Sequence, residues 1–217
     1  MGCARIIFFC VLCLIDNQIT SVMNSIWGNF RRLNKITGWV LFGVSTVVYL
    51  LTLEPTVSFW DCGEFILSAF RLQVGHPPGA PLFLMIGRIA TLFSLGDASK
   101  AAMMMNAMSA ICSGFAIMFL FWTITHLVRK VYTGSDEVNS VHIPAILGSG
   151  IIGALAYTFS DTFWFSAVEG ELYALSSLVT GLVFWGMLKW EEEADKPYSG
   201  RWLILIAYVM GLGLGIH

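Results

Sequence analysis

Residues Ser58 to Leu82 read SFWDCGEFILSAFRLQVGHPPGAPL. Two carboxylates (Asp61 and Glu64), an arginine (Arg71) and a histidine (His76) crowd ahead of a Pro77-Pro78-Gly79 hinge, and an apolar run follows. Outside this stretch the chain is largely apolar: 57% of its 217 residues are hydrophobic and 12% are charged, with a mean hydropathy of +0.75. A soluble domain is about a quarter charged, so composition predicts an all-α polytopic membrane protein. Eight Trp and sixteen Phe suit a helical bundle with aromatic residues at the membrane interfaces. The net charge of −2, with no basic block, leaves no electrostatic footprint for nucleic acid.

A bilayer crossing needs about 20 apolar residues. Ile36–Leu53, Ile143–Phe159, Leu172–Lys189 and Trp202 onward each read as such a span, and Glu54-Pro55 ends the first of them. Polar linkers are scarce; the clearest are RKVYTGSDEVNSVH and WEEEADKPYSGR, and the loop SLGDASK breaks the long stretch between Gly79 and Val128. The first 22 residues stand apart. Arg5 and IIFFCVLCLI resemble a signal-peptide core without a clean cleavage site. Met23 opens a natural cytoplasmic start, so residues 1–22 read as an over-extended start or a weak leader. Cys10 and Cys13 form a C-x-x-C there, without the nearby His or Cys partners that metal or redox use requires.

Lys and Arg favour cytoplasmic loops. Arg31, Arg32 and Lys35 precede the first span, which places Asp61 on the outer side. Arg129 and Lys130 flank one later loop, and Lys189, Lys196 and Arg201 flank another. The turn SDTFWFSAVEGELY, which lacks Lys and Arg, then lies on the same face as Asp61. This topology requires an odd number of crossings within 79–128. It predicts that Gly79–Leu95, with Arg88 near its middle, is interfacial or re-entrant; two full spans followed by an inversion is the alternative.

Asp61 and Glu64 are three apart, which puts both on one face of a helix. Phe65, Ile66, Ala69 and Phe70 make that helix amphipathic, suited to lie on the membrane surface. A carboxylate partly removed from water there can accept a proton from an attacking hydroxyl. A structural reading stands beside this one: Asp61 paired with Arg71 or Arg88, and Glu64 facing water or headgroups. Ionisable groups at membrane depth are nevertheless costly, and several converge here: Asp61, Glu64, Arg71, His76, Asp161, Glu169 and Glu171. The prolines after His76 make the chain extended and start the next helix with unsatisfied N–H groups, a seat for a phosphate. In the second outer turn Glu169 reads as a helix cap, whereas Glu171 and Tyr173 face the side of Asp61, and His217 could line the same cavity. MMMNAM (Met103–Met108) reads as adaptable packing. GSGIIGALA and GLGLG carry small residues that permit close helix contact.

An aspartate after the first span, an acidic amphipathic helix and a His-Pro-Pro resemble the GT-C superfamily of membrane glycosyltransferases, which use polyprenyl-phosphate sugars on the outer or lumenal face. PTVSFWDCGEFILSAFRLQVGHPPGAPLFLMIGR, FWFSAVEGELYAL and GLGLGIH are similar to one family within it. That family comprises large membrane proteins common in Bacteroidetes, related to the vertebrate protein O-mannosyltransferase of plexin-type receptor domains. The resemblance covers about residues 24–217, and it implies a GT-C-like bundle with an amphipathic or re-entrant first outer loop. On this resemblance 23–217 is the N-terminal part of a catalytic domain that continues beyond this chain.

The resemblance implies transfer of a sugar, mannose, from a polyprenyl-phosphate donor to Ser or Thr of envelope or secreted proteins. Asp61 takes the catalytic-base position, with Glu64 as the competing acid. His76, Pro77 and Pro78 fall near the donor, and Glu171 matches a second acid from a later outer loop. Arg71, Arg88 and the helix start at Gly79 are candidates to stabilise the departing phosphate. The implied partners are the lipid-linked donor, an acceptor protein and the bilayer. No cofactor is required, although paired acids are able to bind a divalent metal. The implied location is a bacterial inner membrane with the site facing the periplasm. Two other classes fit the residues: an ion- or proton-coupled transporter or lipid scramblase, with the acids as ion sites, and a non-catalytic subunit of an envelope secretion system.

Overall fold

The computed structural model describes residues 29–77, 79–133 and 142–216. The expectations on the leader 1–22, the Cys10–Cys13 pair, Pro78 and His217 lie outside the described residues. Those described form eight α-helices and no strand: α1 Asn29–Leu51, then α2 Cys62–Arg71, α3 Pro81–Leu92, α4 Ala101–Thr133, α5 Ile143–Thr158, α6 Asp161–Val168, α7 Leu172–Glu193 and α8 Gly200–Gly213.

Length decides which helices cross. α1, α4 and α7 are long and apolar enough to span a membrane, and α5 with α6, bent by 66° at their break, makes a fourth if the pair counts as one span. α3 has 12 residues, about 18 Å of helix, too short for a hydrocarbon core of about 30 Å. The segment 79–128 therefore contains one crossing, α4, as the charge pattern predicts. The helix after the proline hinge starts at Pro81 rather than Gly79. Gly79 (φ 95°) and Ala80 (φ 38°) turn through the left-handed region first, and Pro81 takes the first helical position, where a missing N–H costs nothing.

α4 is the central post and packs against α2, α3, α5, α6 and α7. Trp122 Nε1 donates to the Asn34 carbonyl at 3.2 Å, which sets the start of α1 beside the distal half of α4. At that same end Arg129 Nη2 meets Glu192 Oε1 at 2.6 Å, joining the C-terminal ends of α4 and α7. Leu82 N–H donates to the Gly215 carbonyl at 2.7 Å, tying the end of α8 to the start of α3 at the opposite pole. Arg31, Arg32, Lys35, Arg129, Lys130, Lys189, Lys196 and Arg201 fall at the first pole, while Arg71, Arg88 and Lys100 fall at the second.

Helix association in lipid draws on close packing more than on burial from water. A Cβ on Gly150 would lie 2.5 Å from Thr125 Cγ2, so α5 presses directly on α4 there; around Gly148 there is open space. At the α5–α6 bend Tyr49, fully buried, donates its hydroxyl to the Thr158 carbonyl at 2.9 Å. The bond satisfies a carbonyl that the helix end leaves without an intrahelical partner.

α2 is amphipathic as its spacing predicts, with Cys62, Phe65, Ile66 and Ala69 buried on one face. That face does not rest on lipid. It joins Phe83, Met105 and Leu175 in a protein core beneath the cavity. Periodicity shows that a face must be covered, but not by what.

Candidate functional site

After α1 the chain turns at Glu54, whose N–H donates to the Val168 carbonyl at 3.3 Å. It passes Trp60, held at φ 61°, and enters α2 at Asp61. A bulky residue in the left-handed region is costly and persists only where its surroundings impose it. Asp61 occupies the N-cap position but makes no side-chain capping bond. Its carboxylate instead lines a cavity of about 340 Å³ together with Trp60, His76, Glu169, Glu171 and Tyr173.

The two acids of α2 have separate roles. Glu64 Oε1 accepts the His76 N–H at 2.6 Å, and Glu64 Oε2 lies 3.0 Å from His76 Nδ1. The His76 bonds hold the Glu64 carboxyl below its usual range, and Glu64 in turn raises the imidazole. Glu64 thus pins the hinge against α2, and it is absent from the cavity wall.

The opposite wall comes from the α6–α7 junction, where Glu169 and Glu171 are both extended. Glu169 is 2% exposed, and its Oε2 accepts the Ser58 hydroxyl at 2.6 Å. This corrects the reading of Glu169 as a helix cap. It lies three residues before α7, and a hydroxyl from the other loop holds it. Glu171 precedes α7 without capping it, and its Oε1 lies 3.5 Å from Cys62 Sγ. Burial pushes both carboxyls above their usual range, and each is raised further by a neighbouring acid: Glu171 beside Glu169, Asp61 beside Glu171. Burial, then the two glutamates, raises the Cys62 thiol as well, so Cys62 is a weak S–H donor rather than a nucleophile.

Gly79 and Ala80 also line the cavity. Pro81 has no N–H, and that of Leu82 is already given to Gly215, so the helix start presents fewer donors than its sequence suggests. The two arginines stand apart from the cavity. Arg88 Nη1 donates to the Phe70 carbonyl and its guanidinium lies 5.7 Å from the Phe70 ring centre. Arg71 sits at the C-terminal end of α2, away from Asp61 at its start, and is exposed, as is Asp161 in the first turn of α6. Pro77 is exposed next to His76 and is not part of the wall.

Two groups have donors close enough to share a cation. The ligand atoms of Asp61, Glu64 and His76 lie within 4.8 Å of one another, as do those of Cys62, Glu169 and Glu171. Sequence reasoning missed Cys62 and the burial of Glu169. Both depend on a loop far along the chain, and the only local signal was an acid pair, Glu-Gly-Glu, too apolar in its flanks for an ordinary surface turn.

Fold and site define a polytopic helical membrane protein with an acid-lined cavity at one pole, shared between its first interhelical segment and a later one. The family profile described as "Protein O-mannosyl-transferase TMEM260 N-terminal domain" matches residues 61–217, and the chain belongs to this family. A relative named Protein O-mannosyl-transferase tmem260, from Dictyostelium discoideum, is 28% identical over 149 residues, 68% of this chain and 16% of its own length. Protein O-mannosyl-transferase TMEM260 of Mus musculus is 29% identical over 175 residues, 80% of this chain and 22% of its own. The chain thus spans about a fifth of the length of these curated relatives. No solved structure matches significantly.

Proposed function

We propose that this chain forms part of a membrane glycosyltransferase that moves mannose from a polyprenyl-phosphate donor to Ser or Thr of a protein. The observation that carries the reading is the meeting of Asp61 and Glu171, from two distant segments, in one cavity. The names of the relatives support protein O-mannosyl transfer, and they favour neither a transporter or scramblase nor a secretion-system subunit.

In this mechanism Asp61 accepts the proton of the acceptor hydroxyl as its oxygen attacks the anomeric carbon. The bond from that carbon to the phosphate oxygen breaks, the electron pair leaves with the polyprenyl phosphate, and the carbon inverts. Glu171, on the opposite wall of the cavity, is placed to orient the sugar through hydrogen bonds from its hydroxyls. His76, whose imidazole Glu64 shifts toward its cationic form and which also lines the cavity, is placed to balance phosphate charge in place of Arg71 and Arg88. The displacement needs no metal cofactor. The pole rich in Lys and Arg faces the cytoplasm by the positive-inside rule, so the cavity opens on the outer face, the periplasm in a bacterial inner membrane.

The test uses the full-length protein in membranes supplied with polyprenyl-phosphate mannose. Transfer to protein acceptors is compared for wild type, Asp61→Asn and Glu64→Gln at matched expression. Loss with Asp61→Asn and retention with Glu64→Gln supports the reading. Loss only with Glu64→Gln moves the base to Glu64. Wild-type transfer by both variants ends the catalytic assignment.

A further inference from the structure

The cavity has two walls, and a polar side chain hidden behind them touches both. Asn106 lies in the second turn of α4 and is fully buried. Its Nδ2 donates to the Glu54 carbonyl at 2.7 Å and to the Thr56 carbonyl at 3.1 Å. Both acceptors belong to the loop that carries Ser58 and Asp61. On its other side Asn106 Oδ1 has no hydrogen-bond partner, and it stands against Gly170, where an added Cβ would lie 2.9 Å from it. Gly170 is the residue between Glu169 and Glu171. Two carbonyls facing one amide nitrogen fix which way the amide points, since the reverse orientation would set three oxygens together.

A fully buried amide with one oxygen unpartnered is costly, and packing alone would be better served by Leu. We infer that Asn106 is a positioning residue for the cavity acids: it clamps the Asp61 loop by two hydrogen bonds and sets the Glu169-Gly170-Glu171 turn by contact. The separation of Asp61 and Glu171 is thereby referred to one point on α4. The catalytic part of the inference rests on the proposed transferase reading; the clamp itself does not.

Asn106→Asp keeps the shape and replaces the donor by an acceptor facing two carbonyls, so it repels the loop that Asn106 holds. Asn106→Ala removes the clamp and leaves room. Gly170→Ala pushes on Oδ1, and the double variant Asn106→Ala/Gly170→Ala relieves that push. In the full-length protein in detergent, maleimide labelling of Cys62 and Cys112 is read peptide by peptide. Cys62 is buried at the start of α2 beside Glu171, whereas Cys112 lies further along α4 in the same apolar core, away from the cavity lining, and it reports general unfolding. Ser109→Ala, at another buried polar group of α4 without a partner, is the control.

The expected result is a rise of Cys62 labelling of roughly tenfold in Asn106→Asp, with Cys112 unchanged, as a lost buried bond implies. The effects of Asn106→Ala and Gly170→Ala are non-additive. Transfer falls by roughly 100-fold in kcat with KM for the acceptor little changed, the mark of misplaced catalytic groups, while Ser109→Ala behaves as wild type. If Asn106→Asp leaves Cys62 protected, or if Asn106→Ala and Gly170→Ala are strictly additive, the clamp is overturned. If Asn106→Asp raises both cysteines together, that variant has unfolded and the Asn106–Gly170 cycle decides: coupling upholds the clamp and additivity overturns it. Cys62 exposure with no transfer even in wild type upholds the clamp and refutes the transferase reading instead.

Discussion

Glu64 and His76 are joined twice, backbone N–H to Oε1 at 2.6 Å and Nδ1 to Oε2 at 3.0 Å, while Asp61, one turn earlier on the same helix, faces the cavity. Two acids that look equivalent in sequence are therefore divided between holding a hinge and lining the cavity. Asp61→Asn should lower transfer by about 10²–10⁴-fold, the usual contribution of a general base, with the melting temperature unchanged. Glu64→Gln keeps a hydrogen bond to the His76 N–H and should retain most of the transfer.

The same pair has a pH window. Glu64 is held below its ordinary range, so its contribution is present above that range and disappears as pH falls through the lowered value. His76 is raised, so its contribution is complete at acidic pH and disappears as pH rises through the raised value. The ion pair is thus intact in mildly acidic solution, above the ordinary carboxylate range and below the ordinary imidazole range. Diethyl pyrocarbonate modifies the neutral imidazole, and its pH profile at His76 should shift to lower pH in Glu64→Gln. An unshifted profile would show that the two groups are not coupled.

Glu169 carries a burial cost. Its carboxyl is raised, so the folded state binds its proton more tightly than the unfolded chain, and stability falls as pH rises through the interval between the two values. Glu169→Gln removes the charge and keeps an acceptor for Ser58. It should raise the melting temperature at neutral pH by about 1–3 °C and flatten its pH dependence. A lower melting temperature would mean that the Ser58 bond outweighs desolvation.

Gly148 and Gly150 belong to one Gly-Ser-Gly and should part on substitution. Gly150→Val would drive side-chain atoms into Thr125 and Phe121 and should prevent α5 from seating on α4, seen as loss of folded protein in size-exclusion chromatography. Gly148→Val meets open space and should stay within about 0.5 kcal/mol of wild type.

Much of the fold is legible in residue order. Apolar runs of the right length mark α1 and α7, Glu54-Pro55 follows the end of α1, and the position of Lys and Arg foretells the odd number of crossings between 79 and 128 that α4 supplies. The runs at Ile143–Phe159 and from Trp202 form α5 and α8, helices of 16 and 14 residues that are each shorter than a full span on their own. Half of the site is legible too. Asp61 and Glu171 stand out because carboxylates are costly beside a bilayer, and that cost follows from composition and position alone.

The other half required the folded chain. Arg88 has the chemistry of a phosphate ligand, yet it closes the end of α2 on Phe70, because the α2–α3 packing brings a bare carbonyl within its reach. Glu169 has the position of a cap and is a buried acid held by Ser58; Cys62 and Asn106 carry no signal at all in the sequence. Residue order is enough to set the number of long apolar helices and the pole at which charge collects, since transfer to lipid is a property of each segment separately. Which acid faces the cavity and which holds the hinge is settled by tertiary contacts. Those roles depend on hydrogen bonds and contacts between residues dozens of positions apart, and such pairings exist only once α4 has gathered both loops against its first turns.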